Sequence, residues 1–304
     1  MKRRAIQWIA AALAALLESA GAATVRWPIA TDTYLDGRAE NQALNYGAAT
    51  TLKALVNNNV TGDGSVCRAL LALPAELWNY EPTSLVSVTA RLYVWQDNTG
   101  DRQVTLFPLA RSFVEGTQNG GTADGSTWLT YDGAHAWLQA GGDFLTNFPV
   151  AGVKGEILDE GAHDRFFSFE LTALLTNETA REALRQNGAL LRIDEEPVPT
   201  NGLPRAPFTS SDDPGYTAEY KPHLLVEVIP PEPEIGAPAL NGSTLTIPVG
   251  QLTPGITNAV ERSYDLAGGN WTSIAVFVTG GNATNWSLPL SPSNRVFYRV
   301  TTRE

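Results

Sequence analysis

Two arginines and five aromatic rings are the side chains in this 304-residue sequence whose types and spacing could do chemistry. Arg68 sits in the apolar run VCRALLAL (66–73) and Arg91 on the non-core phase of VSVTARLYVW (86–95). A guanidinium presents a planar fork of donors that matches a carboxylate through two parallel hydrogen bonds. Two of them on one sheet face could hold the carboxylates of uronic acids. They could equally pair with acids of the chain, such as Asp212, in a structural network. Trp78 and Tyr80 lie in the loop ELWNYEP, and Trp128, Tyr131 and Trp137 in STWLTYDGAHAWLQAGGDF. Ring faces stack on the C–H faces of sugars and their polar tips bond hydroxyls. Loops that hold such rings over a rigid sheet would suit a glycan site. The alternative is that the rings close the end of the sandwich as satellite core.

Signs of catalysis are weak. The sequence has no GxSxG, HExxH, P-loop, dinucleotide fingerprint or Cys–His pair. His135, His163 and His223 stand in unrelated contexts. His163-Asp164 reads as a solvated loop and His223 as positional. Asp194-Glu195-Glu196, Asp159-Glu160 and Asp212-Asp213 read as solvated turns, although a two-carboxylate hydrolase remains open on composition. The only cofactor these acids suggest is a structural Ca²⁺. The single cysteine, Cys67, excludes an intramolecular disulfide and a Cys-rich zinc site and reads as a small buried hydrophobe. A net charge of −11 argues against nucleic acid and against an anionic membrane surface as partners.

Several elements must position these residues. Residues 1–22, MKRRAIQWIAAALAALLESAGA, have the basic, apolar and small-residue regions of a secretory signal peptide, too short in their apolar run to span a bilayer. A secreted, extracellular or cell-surface protein is therefore expected. The prolines of IPPEPEIGAP (229–238) mark a linker between a large domain at 23–228 and a small one at 239–304. Period-2 alternation at 86–95 and β-like runs at 24–29, 32–35, 51–56, 66–73, 102–110, 165–171, 189–194 and 223–228 predict strands. DNTGD (97–101) predicts a hairpin joining 86–95 to 102–110. One helix is expected at 171–188, ending on Gly188. The fold class expected is all-β: an antiparallel sandwich of jelly-roll type with one helix. Five further strands predict a small fibronectin-III-like or immunoglobulin-like β-sandwich at the C-terminus.

DTYLDG, then NYG, CRALLALP, TARLYVW, FVEGT with STW, FELT, and SSDD before KPHLLVEV occur in that order. Together they resemble the DNRLRE domain, also classed as carbohydrate-binding module family 96, over about residues 30–228. The matching positions are Asp32, Asn45, Arg68, Leu70 or Leu71, and Arg91. Asp212 replaces the family's final Glu, and Phe113 its usual Trp. The resemblance implies a secreted β-sandwich that binds polysaccharide, alginate in the described cases. The expected function is thus non-catalytic carbohydrate binding, of an alginate-like or a neutral glycan. The ligand contacts would come from Trp128, Tyr131, Trp137, Trp78, Tyr80, Arg68 and Arg91. A surface-structural or adhesion protein, and a polysaccharide lyase or glycosidase, are the alternatives.

Overall fold

The computed structural model describes residues 22–58, 64–94, 103–122, 124–146, 152–157, 165–194, 196, 205–230, 233–241, 244–252, 255–264, 270–278, 280–289 and 296–303. The leader up to residue 21, Trp95, the turn 97–101, Asp159-Glu160, His163-Asp164 and Glu195 lie outside them. The chain divides into two compact units, one holding Arg26–Val226 and the other Glu227–Glu304 with the described residues before Arg26.

The large unit is built from β1 (Ala23–Pro28), β2 (Thr31–Asp36), β3 (Leu44–Asn45), β4 (Thr51–Asn58), β5 (Gly64–Ala72), β6 (Leu85–Val94) and β7 (Val104–Pro108). There follow β8 (Gly121–Thr122), β9 (Val153–Lys154), β10 (Glu156–Ile157), β11 (Arg165–Glu170), the helices α1 (Thr172–Thr176) and α2 (Glu178–Asn187), β12 (Ala189–Ile193), β13 (Arg205–Thr209) and β14 (His223–Val228). Twelve strands form one ladder in the order β1-β14-β6-β13-β4-β5-β12-β7-β9, with β2 on β5, β11 on β6 and β10 on β11. The ladder closes over a common core as an antiparallel β-sandwich, the class its alternating patterns predict. Leu92, Phe167, Phe169, Phe208 and Leu224 are fully buried on its inner face.

Two local expectations are corrected. β6 and β7 do not form a hairpin. β6 takes β14, β11 and, at Val94, β13 as partners, and β7 takes β12 and β9. Both edges of β6 are occupied, so the chain crosses to another part of the ladder, as sandwich connections do. The single helix is two. Asn177 between α1 and α2 is extended (φ −89°, ψ 117°), and its side-chain oxygen accepts from the Ala180 amide at 3.0 Å, capping α2. Asparagine is a strong N-cap because it satisfies a donor that the first helical turn leaves orphaned. Gly188 ends α2 at φ +84°, where a Cβ would lie 2.4 Å from the Leu71 carbonyl oxygen.

The small unit contains β15 (Glu234–Ile235), β16 (Ala239–Asn241), β17 (Thr244–Gly250), β18 (Thr257–Ser263), β19 (Thr272–Val278), β20 (Thr284–Pro289) and β21 (Phe297–Arg303). One sheet has β17 joined to β15, β16 and β20, and the other runs β19-β18-β21. Ile247, Val249 and Leu252 form its core, with Phe277, Trp286, Tyr298 and Val300 packed half-buried against them. β15 lies inside the stretch expected to be a linker. Its two residues pair with Val249 and Gly250, which draws that stretch into this unit's sheet.

Candidate functional site

Arg68 is part of the interior. On β5 it faces Leu35 across the ladder, in phase with Leu70. Its Nε lies 3.2 Å from both carboxylate oxygens of Glu196, and its Nη2 2.7 Å from Oε2. Nη1 donates to the Gly141 carbonyl at 2.9 Å. The rings of Trp128 and Phe144 stand 5.1 and 5.5 Å from the guanidinium carbon. Gly141 has φ +88°, and a Cβ there would come within 2.6 Å of Trp128, so only glycine lets the loop pass. The partner is Glu196, which the sequence placed in a solvated turn, and not Asp212. Its carboxylate is withdrawn from solvent because a buried guanidinium needs a counter-charge.

Most of the five expected rings also turn inward. Trp137 is 5 % exposed and packs with Leu35, Leu70, Leu109 and Leu190, while its indole donates to the Thr127 carbonyl at 2.9 Å. Tyr80 is 6 % exposed and lies 5.5 Å from Trp27. Rings this deep have no face to offer a sugar. Trp128 is half-buried against Arg68, and Trp78 half-buried with Arg181 6.0 Å from its ring. Tyr131 is half-buried between Trp137 and a stacked His135, under the guanidinium of Arg111 at 4.8 Å. Residues 129–137 double back through the Thr130–Ala136 bridge, which seats these rings on the hydrophobic cluster.

Arg91 does not join Arg68. It lies on the outer face of β6, where strand pairing sets Arg91 beside Ser168 and Tyr93 beside Phe166 of β11. The guanidinium carbon of Arg91 is 4.4 Å from the Phe166 ring. The segment 210–222, between β13 and β14, lays two more rings on the same face. Tyr93 is 5.6 Å from Tyr216 and 4.8 Å from Tyr220, and Phe166 and Tyr220 are parallel at 6.3 Å. Tyr93 is buried, whereas Phe166, Tyr216 and Tyr220 keep part of their surface in solvent. The hydroxyl of Ser168, buried on this face, has no hydrogen-bond partner among the described residues.

This face is electropositive at its edge. Arg26, exposed on β1, donates to the Ala218 carbonyl at 2.7 Å. Its Nη2 is 3.1 Å from Nδ1 of His223, which is itself 2.7 Å from the Lys221 carbonyl oxygen. The shorter contact selects the tautomer with the proton on Nδ1. Burial, followed by the charges of Arg26 and Arg91, pushes the His223 ring down to about 4, so it is neutral. Burial also lowers Arg26, Glu219 counteracts that, and Arg91 lowers it further. Two guanidiniums and a neutral imidazole thus share one neighbourhood with four aromatic rings. Of this group the sequence reading had named only Arg91 as a ligand contact. Tyr93 was visible as the out-of-phase residue of its strand, but Tyr216 and Tyr220 carry no periodic signal.

The 210–222 segment is tied down by a buried acid. The Asp32 carboxylate accepts from Ser210 Oγ and the Ser211 amide, both at 2.7 Å, and Lys221 Nζ donates to the Ser211 carbonyl at 2.7 Å. The Asp32 amide donates to Glu115 Oε1 at 2.6 Å. Burial pushes Asp32 up to about 6, against the bonds from Ser210 and Ser211. Burial, with the charges of Asp32 and Asp212, pushes Glu115 up to about 7. Asn45 ties the next loop. It donates to the Glu115 and Ser126 carbonyls at 2.7 and 3.0 Å. No group of three or more His, Cys, Asp or Glu among the described residues is arranged to hold a metal ion, and none of their helices is long and apolar enough to cross a membrane.

No family model matches the chain, and no curated protein matches it significantly. Among solved structures, a β-1,2-glucanase from Parabacteroides distasonis is 12 % identical with a TM-score of 0.22, over 86 % of this chain and 35 % of that one. The chain spans about a third of that enzyme's length.

Proposed function

We propose that this protein is a secreted, non-catalytic polysaccharide-binding protein whose ligand is an acidic glycan of the alginate type. One arrangement carries the reading: partly exposed rings gather around Arg91 of β6 on the outer face of the sheet, with Arg26 on β1, across the intervening β14, at its edge. Ring faces supply stacking to the pyranose C–H surface. A guanidinium supplies the forked donors a uronate carboxylate accepts. The basic and apolar leader supports export, and the ordered set of short motifs shared with the DNRLRE domain supports a glycan ligand.

Calorimetry and affinity electrophoresis against a panel of uronate, sulfated and neutral polysaccharides test this reading. Retardation by a uronate polymer, weakened in Arg91→Ala and Tyr220→Ala with the fold intact, is the expected result. Indifference to every polymer would overturn it. So would release of unsaturated or reducing ends, which would make the protein a lyase or glycosidase.

A further inference from the structure

The segment 210–222, which carries Tyr216 and Tyr220, is fastened at its start to a carboxylate that no cation faces. Asp32 is fully buried. One of its oxygens takes the Ser210 hydroxyl and the other the Ser211 amide. The next two amides close a turn on Ser210: Asp212 donates to its hydroxyl at 3.1 Å and Asp213 to its carbonyl at 3.3 Å. Glu115 reaches Asp32 from the loop after β7 and accepts its amide. Among the described residues the charges that act on the two acids are all acidic: Asp212 on Asp32, and Asp32 with Asp212 on Glu115. Lys221, the segment's own cation, donates to the Ser211 carbonyl instead. β5 sets Leu71 opposite Asp32, and the residue before β4 offers Ser210 the Thr50 carbonyl, so neither neighbour brings a charge.

Ionising a buried carboxylate is unfavourable, and a second acid beside it makes it more so. Burial accordingly pushes Asp32 up to about 6 and Glu115 up to about 7. The bonds from Ser210 and Ser211 favour ionised Asp32, but burial outweighs them. Charge on both acids is therefore relieved by admitting water, through whichever element yields first. β2 is paired with β5 over six residues. The Glu115 loop is pinned, because Asn45 donates to the Glu115 carbonyl at 2.7 Å and a Cβ on Gly47 would lie 2.2 Å from that oxygen. The turn 211–216 has no strand pairing, is half-buried or exposed throughout and carries the third acid, Asp212. It is the element free to yield.

We propose that Asp32 and Glu115 form a pH-operated latch: with a proton on the pair the 211–216 turn is docked, and with both acids ionised it opens and withdraws Tyr216 from the rings around Arg91. The opening stands on its own, whereas its consequence for binding rests on the glycan reading. Glycan affinity falls from mildly acidic to mildly alkaline pH, a range in which arginines keep their charge.

Hydrogen exchange of the full chain between pH 5 and pH 8 tests the latch, read as protection relative to an unstructured peptide at the same pH. The Ser211, Asp212 and Asp213 amides of the wild type should lose protection severalfold across that range, while amides of β5 keep theirs. In Glu115→Gln, which retains an acceptor for the Asp32 amide, the loss should be absent or much reduced. Calorimetric titration with alginate should show affinity falling over the same range in the wild type and staying level in Glu115→Gln. Constant protection at the three wild-type amides, or protection that rises with pH, overturns the latch whether or not alginate binds. Lost protection with unchanged affinity overturns its link to the glycan face. A wild type that binds no polymer at any pH overturns the glycan reading, and the exchange data then decide the latch alone.

Discussion

Arg68 and Glu196, 128 positions apart in the chain, form a forked ion pair inside the sandwich, with Nη2 to Oε2 at 2.7 Å. Each side chain is at most a tenth exposed. Removing one partner of a buried pair costs about 3–5 kcal/mol when the other charge is left alone; here Glu196 keeps Arg192 Nε at 3.5 Å, so the loss falls at the lower end of that range. Arg68→Ala should therefore lower unfolding stability in urea by that order. At a temperature where the variant remains folded, its glycan affinity should match wild type, because the guanidinium does not reach the proposed binding face.

Trp137 and Tyr131 neighbour each other in one loop but should answer differently to truncation. Trp137→Ala empties a core position and orphans the Thr127 carbonyl, a cost of about 3–5 kcal/mol. Tyr131→Ala removes a half-buried ring stacked on His135 and should cost far less. Thermal melts of the two variants, with Asn177→Ala as a helix-cap reference at about 1 kcal/mol, rank them.

At the proposed glycan face, Arg26→Ala and Arg91→Ala should each weaken binding of a uronate polymer about tenfold or more, the effect of losing a charged hydrogen bond worth ~1.5–3 kcal/mol. Binding of a neutral polymer should change little. Salt dependence should be non-monotonic for wild type. Added salt first screens the repulsion between the −11 chain and the polyanion, then weakens the guanidinium contacts. Calorimetric titrations at several ionic strengths check the shape of that curve.

Asp32 and Glu115 make stability depend on pH in a direction opposite to that of ordinary paired carboxylates. Both hold protons more tightly folded, near 6 and near 7, than unfolded, where Asp and Glu titrate near 4. Their contribution is thus present below about pH 4 and lost as pH rises through 6 and 7. His223, lowered to about 4, acts with the other sign, losing stability as pH falls below about 6.5. Glu115→Gln keeps an acceptor for the Asp32 amide and removes one ionisation. The expected result is a variant stabilised relative to wild type at pH 8, with the advantage shrinking toward pH 5. Urea denaturation of both proteins across that range measures it, and an advantage that grows on acidification would contradict the assignment.

The strands were legible in the sequence, because alternation reports which side of a strand is buried. VSVTARLYVW shows it directly: Val88, Ala90 and Leu92 are fully buried while Ser87, Thr89 and Arg91 face outward. Gly188 as a helix stop was legible for a similar local reason. Partner choice was not. DNTGD suggests a hairpin only if the flanking strands are each other's neighbours, and β6 was already engaged on both edges. The positions behind the DNRLRE resemblance show the same limit. Asp32, Asn45, Arg68, Leu70 and Leu71 all lie buried and brace the scaffold, whereas Arg91 reaches the outer face.

What the sequence determined by itself is thus the strand pattern, the acid excess and the absence of familiar catalytic motifs, all carried by residues close together in the chain. Which acid meets Arg68, and which rings gather around Arg91, was decided by the tertiary structure alone. Glu196 and Tyr220 lie more than 120 positions from those arginines, and a buried charge or an exposed ring takes its role from whatever the closing sheet brings against it, which no local spacing encodes.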